Sequence, residues 1–200
     1  MNDLYFSKGN KKLKSTKALK FLIWNLPAVK TCPYATESCK RLCYARKAEK
    51  AYPTVLPCRE RNFQASKTPE FVDNVVEIIS KEKDKRVLVV RIHESGDFYN
   101  REYANKWLEI ARRLPDVVFM AYTKSFPYFD GVKLPKNFFL RASLWNDTTD
   151  AQKEIVKRNK WAIYTAVSEM PKSYHECRCD DCANCGECWS KTKKIACKIH

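Results

Sequence analysis

Glycine is scarce, with 4 residues in 200. So few leave little room for flexible linkers and argue against loosely tethered modules. No apolar run approaches the roughly eighteen residues of a membrane-spanning helix, so no membrane partner is expected. The opening MNDLYFSKGNKKLK has charge but no apolar stretch behind it. That is not the make-up of an export signal, and the chain reads as cytoplasmic. Cysteine is absent between Cys58 and Cys177, and a gap that long is unlike a disulfide scaffold, which spreads its staples. Acid is also short: 23 Asp and Glu stand against 38 Lys and Arg, a formal charge of +15.

The basic excess is concentrated. Residues 1–67 carry 15 Lys and Arg against 4 Asp and Glu. Such a face suits a polyanion, nucleic acid first, although a well-solvated surface has the same composition. The candidate contacts are Lys40, Arg41, Arg46, Lys47, Arg59 and Arg61.

The ten cysteines form two groups. In a reducing compartment, clustered thiols bind metal or do redox chemistry more often than they pair. Cys179, Cys182, Cys185 and Cys188 form a C-x2-C-x2-C-x2-C run, with Cys177 just ahead. That spacing is near the bacterial ferredoxin pattern and favours iron–sulfur over zinc, whose sites usually pair two distant C-x2-C knuckles. The second group is Cys32, Cys39 and Cys43. Its spacing matches no standard zinc pattern; Cys39 and Cys43 would share one helix face, as ligands or as core residues. Cys58 and Cys197 stand apart. The expectation is a 4Fe-4S cluster held mainly by the C-terminal run. The trio would hold a second cluster or supply a fourth ligand.

Apolar runs at residues 21–26, 87–92, 117–123, 138–143 and 161–167 read as strands. Helical periodicity follows Thr68-Pro69-Glu70, with Thr68 as cap, and recurs over 103–114 and 149–159. A further helix carries Cys39 and Cys43 and stops before Pro53, and 53–67 reads as a loop. Strands alternating with helices imply βαβ units. The expected fold is α/β: a partial (half) TIM-like barrel of about five parallel strands with outer helices over residues 1–170. A Cys-rich segment, 171–200, packs on it. That segment has no core pattern, so metal is expected to hold it folded. It is expected to cover the carboxyl end of the strands, near the N-terminal trio.

Ligands in such sheets bind at the carboxyl ends of the strands. The loop His93-Glu94-Ser95-Gly96-Asp97-Phe98-Tyr99 lies there, and its glycine permits close backbone approach. Asp97 could instead cap a helix. Arg91 and His93 are expected on one side of their strand. Arg91 and Arg141 are charges in buried strands and need carboxylates, a polar cavity or an anionic ligand. The ligand-binding candidates are therefore Arg91, His93, Glu94, Asp97 and Arg141.

CPYATESCKRLCYARKAE, RIHESGDFY, AYTKS and CANCGECW together resemble, in order, the gene product 88-like family of bacteriophage proteins. The resemblance runs from about residue 7 to 190, and that family is itself similar to radical SAM proteins. It implies a half-barrel and an iron–sulfur cluster, with Cys32, Cys39, Cys43, Cys182, Cys185 and Cys188 as ligands. It also makes the HESGD loop similar in position to the loop that grips the methionine end of S-adenosylmethionine. Radical SAM enzymes use C-x3-C-x2-C, a tighter spacing than that of the trio.

Three functions follow as expectations. The first is an iron–sulfur protein that binds or acts on nucleic acid. The second is a radical SAM-type enzyme cleaving S-adenosylmethionine. The third is a metal-stapled basic binding module without catalysis.

Overall fold

Strands buried on both faces read as unbroken apolar runs, and the centre of the sheet is built from such strands. The computed structural model describes residues 4–178, 181–190 and 192–198. Its strands in chain order are β1 (Phe6–Ser7), β2 (Leu19–Trp24), β3 (Val87–Ile92), β4 (Val118–Thr123), β5 (Phe138–Leu144), β6 (Ala162–Val167), β7 (His175–Glu176) and β8 (Lys194–Lys198). They form one sheet in the order β1-β2-β3-β4-β5-β6-β8-β7. Only β1 is antiparallel to its neighbour; the other pairings are parallel. Among the described residues β1 and β7 end the row, so the sheet is open and no barrel closes.

The five expected strands are present. Three more, β1, β7 and β8, lie outside the apolar runs. Residues 194–198 of the Cys-rich segment thus belong to the same sheet as the rest of the fold.

The helices are α1 (Glu37–Arg41), α2 (Tyr44–Ala51), α3 (Val55–Ala65), α4 (Phe71–Lys81), α5 (Arg101–Arg113), α6 (Asp150–Arg158) and α7 (Cys182–Cys185). The loop expected over 53–67 is mostly α3. Its Pro57 falls in the first turn, where a missing N–H costs no hydrogen bond. Thr68 is not the cap of α4: its hydroxyl bonds the Ala65 carbonyl at 3.1 Å, and Glu70 holds the cap position. The cap of α5 is Asn100, whose side chain accepts from the Tyr103 amide at 2.8 Å, so Asp97 is free for other work.

Alternation along the strands sorts the core into two layers. Leu22, Trp24, Val90, Ile92, Phe119 and Leu140 pack against Phe71, Val75 and Ile79 of α4 and Tyr103, Trp107 and Leu108 of α5. Ala142 meets Val156 of α6 on that same face. The opposite face presents Phe21, Ile23, Val89 and Met120, covered by Leu13 and by Cys188, Trp189, Cys182 and Ala183. Each such Phe or Ile removed from water stabilises the fold by about 1.5–3 kcal/mol. The Cys-rich segment therefore covers the open face of the sheet as a lid. The expected place was over the strand ends, but the apolar face is the larger surface needing cover.

Protein contacts hold that lid as well. Arg141, 2% exposed, donates from Nε to the Cys188 carbonyl at 2.9 Å and from Nη1 to the Thr192 carbonyl at 2.7 Å. Its Nη2 donates to the Glu187 carbonyl. The Cys182 amide reaches the Lys12 carbonyl at 3.1 Å, and Trp189 sets its edge against Phe21 with ring centroids 5.8 Å apart.

Candidate thiol-lined functional site

Nine of the ten cysteines lie among the described residues, and Cys32, Cys39, Cys43, Cys58, Cys185 and Cys188 are free thiols. Cys179 lies outside the described residues. Cys177, Cys182, Cys185 and Cys188 line one cleft of about 430 Å³ together with His175. The turn that gathers them is local. Asp181 accepts from the Asn184 amide at 3.1 Å, opening α7, and Gly186 closes it at φ +64°, a conformation glycine takes without penalty. Cys185 stands 3.7 Å from His175 Nε2.

Cys188 is the inward member of this group. It is buried, and the Tyr122 hydroxyl donates to its sulfur. Burial pushes its thiol pKa up, while the Tyr122 bond and the Arg91 and Arg141 charges oppose that rise. Cys197, on β8, is joined to the Tyr164 hydroxyl at 2.7 Å. Tyr164 in turn stacks on Tyr122, ring centroids 4.5 Å apart.

The N-terminal trio lies in the segment following β2, at the carboxyl end of the parallel strands. It does not share a helix. α1 ends at Arg41 and Cys43 is the N-cap of α2; a fresh helix start, rather than a helix face, aims its sulfur. Burial raises the Cys32 pKa most, with Asp97 next and Cys39 and Cys43 adding to it. Burial likewise raises Cys39, against the lowering effect of Lys124. Among the described residues, no three His, Cys, Asp or Glu side chains already stand close enough to hold a single ion.

Asp97 ties two of the strand-end loops together. Its carboxylate accepts from the Thr123 hydroxyl at 2.5 Å and from the amides of Phe98 at 2.8 Å, Lys124 at 2.9 Å and Ser125 at 3.2 Å. Burial still pushes its pKa up, against these four bonds. Gly96 is required: a Cβ there would sit 2.6 Å from both Leu26 Cβ and Thr31 Oγ1, at φ +81°.

Arg91 and His93 do not share a side. His93 takes φ +66°, which breaks the strand's alternation and turns its ring towards the helices. There its Nε2 meets the Tyr103 hydroxyl at 2.9 Å. Burial, then the Arg91 charge, lower its pKa to about 3. His93 is thus a neutral packing residue. Arg91 faces the lid, its guanidinium 3.9 Å from the centroid of the Tyr122 ring. Glu94 bonds Asn10 Nδ2 through its carboxylate and the Tyr44 hydroxyl through its carbonyl at 2.7 Å.

Sequence reasoning passed over Lys124. It is 6% exposed and donates to the Ser143 carbonyl at 3.0 Å, with Trp145 at 5.1 Å. Burial lowers its pKa to about 8, while Cys39, Asp97, Asp147 and Cys32 favour its charge. The signal was present in AYTKS, a lysine directly after a buried strand. Of the basic candidates, Lys40 pairs with Glu37 at 2.7 Å. Arg59 pairs with Glu49 at 2.8 Å and bonds the Ala45 carbonyl at 3.1 Å. Arg41, Arg46, Lys47 and Arg61 are at least partly exposed on α1, α2 and α3, and Tyr44 and Tyr52 between them are exposed.

The comparisons with known proteins bear on this arrangement. The family model for Gene product 88 matches residues 4–191. The chain belongs to that family. The Gene 88 protein of Mycobacterium phage L5 is 34% identical over 102 residues, 47% of this chain and 43% of the relative. That of Mycobacterium phage D29 is 32% identical over 103 residues, 47% of this chain and 42% of the relative. The match thus spans less than half the length of either phage relative. No solved structure matches the chain. The family match takes in both cysteine groups of this gene product 88 chain, the Asp97 loop and Lys124. Among its described residues no helix is long and apolar enough to cross a membrane.

Proposed function

We propose that this gene product 88 protein is an iron–sulfur protein that binds or acts on nucleic acid. The observation carrying the reading is the single cleft onto which Cys177, Cys182, Cys185, Cys188 and His175 open. Those are soft donors, the kind that iron–sulfur clusters take. A 4Fe-4S cluster is wider than one ion, so its ligand sulfurs stand around a cleft rather than at a point. Cys182, Cys185 and Cys188 would hold it, with Cys177 or Cys179 as fourth ligand. When bound, such a cluster supplies electron transfer or a Lewis-acidic iron. The trio Cys32, Cys39 and Cys43 is the candidate for a second cluster. The reading takes the chain as cytoplasmic, where thiols stay reduced. It also takes the open sheet, with β1 to β6 in chain order and α4, α5 and α6 on one face, as half of a TIM-like barrel.

Nucleic acid is favoured as partner by the basic Arg41, Arg46, Lys47 and Arg61, with Tyr44 and Tyr52 interleaved. Basic groups would meet phosphates and the rings would offer stacking surfaces. Anaerobic purification with iron and sulfide analysis tests the first half of the reading. Fluorescence anisotropy with single- and double-stranded DNA and RNA over a salt series tests the second. Iron near four atoms per chain and binding that weakens steeply with salt are expected. Chain free of iron after anaerobic reconstitution, or no binding at low salt, would sink the corresponding half.

One observation favours a second reading, a radical SAM-type enzyme. The trio stands at the carboxyl end of parallel strands, near Asp97, as the site of such an enzyme would. Anaerobic reduction with S-adenosylmethionine should then yield 5′-deoxyadenosine. A reducible cluster with none formed excludes it.

A further inference from the structure

Arg91 and Arg141 project from the same face of the sheet, one on either side of β4. Their guanidinium groups meet different surroundings. Arg141 gives its donors to three carbonyls of the lid. Arg91 donates from Nε alone, to the His93 carbonyl at a long 3.4 Å. None of its four terminal N–H bonds has a protein acceptor among the described residues. The carboxylate of Glu94 is near, but it bonds Asn10 and makes no ion pair with Arg91 among the described residues.

The position of Arg91 is nonetheless well defined. The Tyr122 ring supports one face of the guanidinium at 3.9 Å, and such stacking fixes the plane in which its donors point. Burial works against its charge, but Tyr122, Glu94, Tyr44 and Cys188 around it favour the charge, and its pKa is raised. Arg91 is therefore near both cysteine groups, close to Tyr44, which follows Cys43 in the chain, and to Cys188. A half-buried guanidinium whose fork meets no acceptor among the described residues has room for one from outside them. The matching partner for a planar fork is an oxyanion bound through two oxygens.

We propose that Arg91 is the receptor for an oxyanion, a carboxylate or a phosphate, held bidentately near both cysteine groups. The site needs no metal and stands apart from the iron–sulfur reading. An anion seated there would lie against the Tyr122 ring edge.

The test is a titration of the full chain, 15N-labelled at arginine, with inorganic phosphate, with acetate and with a short single-stranded oligonucleotide. The Arg91 Nε signal and calorimetry are followed. Saturable binding of phosphate or acetate that shifts Arg91 is expected, and the stronger of the two names the chemistry. Arg91→Gln should abolish that binding, whereas Arg112→Gln on α5 should leave it unchanged. Arg91→Lys keeps the charge but loses the fork and should weaken binding about tenfold. It also keeps the test decisive should the Gln variant fail to fold. Absence of saturable binding by both small anions overturns the proposal. So does equal affinity in Arg91→Lys, or oligonucleotide binding alone that survives Arg91→Gln.

Discussion

The hydroxyl of Tyr122 donates to the sulfur of Cys188, while the ring of the same tyrosine carries the Arg91 guanidinium at 3.9 Å. One side chain thus links a strand-borne charge to a thiol of the lid. A donor to a ligand sulfur fixes that sulfur's orientation and makes it easier to hold as a thiolate.

Tyr122→Phe keeps the ring and removes only the donor. Metal bound through Cys188 should then be held about 10-fold more weakly, and a cluster there should have a more negative reduction potential. A chelator competition and a redox titration read these two changes. Unaltered iron retention and potential would show that the hydrogen bond has no such role.

Arg141→Met deletes the clamp on the carbonyls of Glu187, Cys188 and Thr192. Leaving buried acceptors without a donor costs about 3–5 kcal/mol in total. Urea unfolding should show that loss. Limited proteolysis should cut first within the lid, while β2 to β5 stay protected. A variant cut no faster in the lid than elsewhere would contradict the clamp.

His93 sets an acid limit. Its folded pKa of about 3 lies below the ordinary 6.5, so the unfolded chain binds the proton more readily. The stability gained from the neutral ring is complete above pH 6.5 and is lost as pH falls towards 3. At pH 5.5 the loss is about 1.4 kcal/mol. The ring meets the Tyr103 hydroxyl, and the Arg91 charge acts on it from the other face of the sheet. Thermal unfolding from pH 7 to 4 should show a shallower decline in His93→Gln than in the parent chain. Parallel declines would mean that other groups set the acid limit.

Arg46→Glu combined with Lys47→Glu reverses two charges on α2. If this face carries nucleic acid, affinity should drop uniformly across sequences. The slope of log affinity against log salt should shrink by about one for each phosphate that the variant no longer neutralises. Anisotropy measured at several salt concentrations decides this. An unchanged slope would move the binding surface elsewhere.

The sheet was legible where each strand is buried on both faces, as in VLVVRI and VFMAYT, because continuous apolar residues have few other uses. β8 was not, since KIACK is short and flanked by lysine; its partner β6, not its composition, makes it a strand. Pro53 and Pro57 disguised α3, because proline disrupts a helix except in the first turn. At the site, the cysteines, Asp97 and Arg91 could be chosen by chemistry and position. His93 could not be placed, since only the backbone reversal at φ +66° decides which layer its ring enters. Arg141, a buried charge in need of carboxylates or a ligand, instead meets three carbonyls 46–51 residues further along the chain. No local pattern encodes such a contact.

β7 reaches the sheet through β8, its parallel neighbour, at His175↔Ile195 and Glu176↔Ala196. The two ends of the cysteine-bearing stretch are therefore tied side by side by strand pairing. Closing a free loop of that size costs roughly 2–3 kcal/mol of chain entropy. Here the sheet has already met that cost before any ion arrives. If these thiols take up an ion, as proposed above, its exchange would not have to wait for global unfolding.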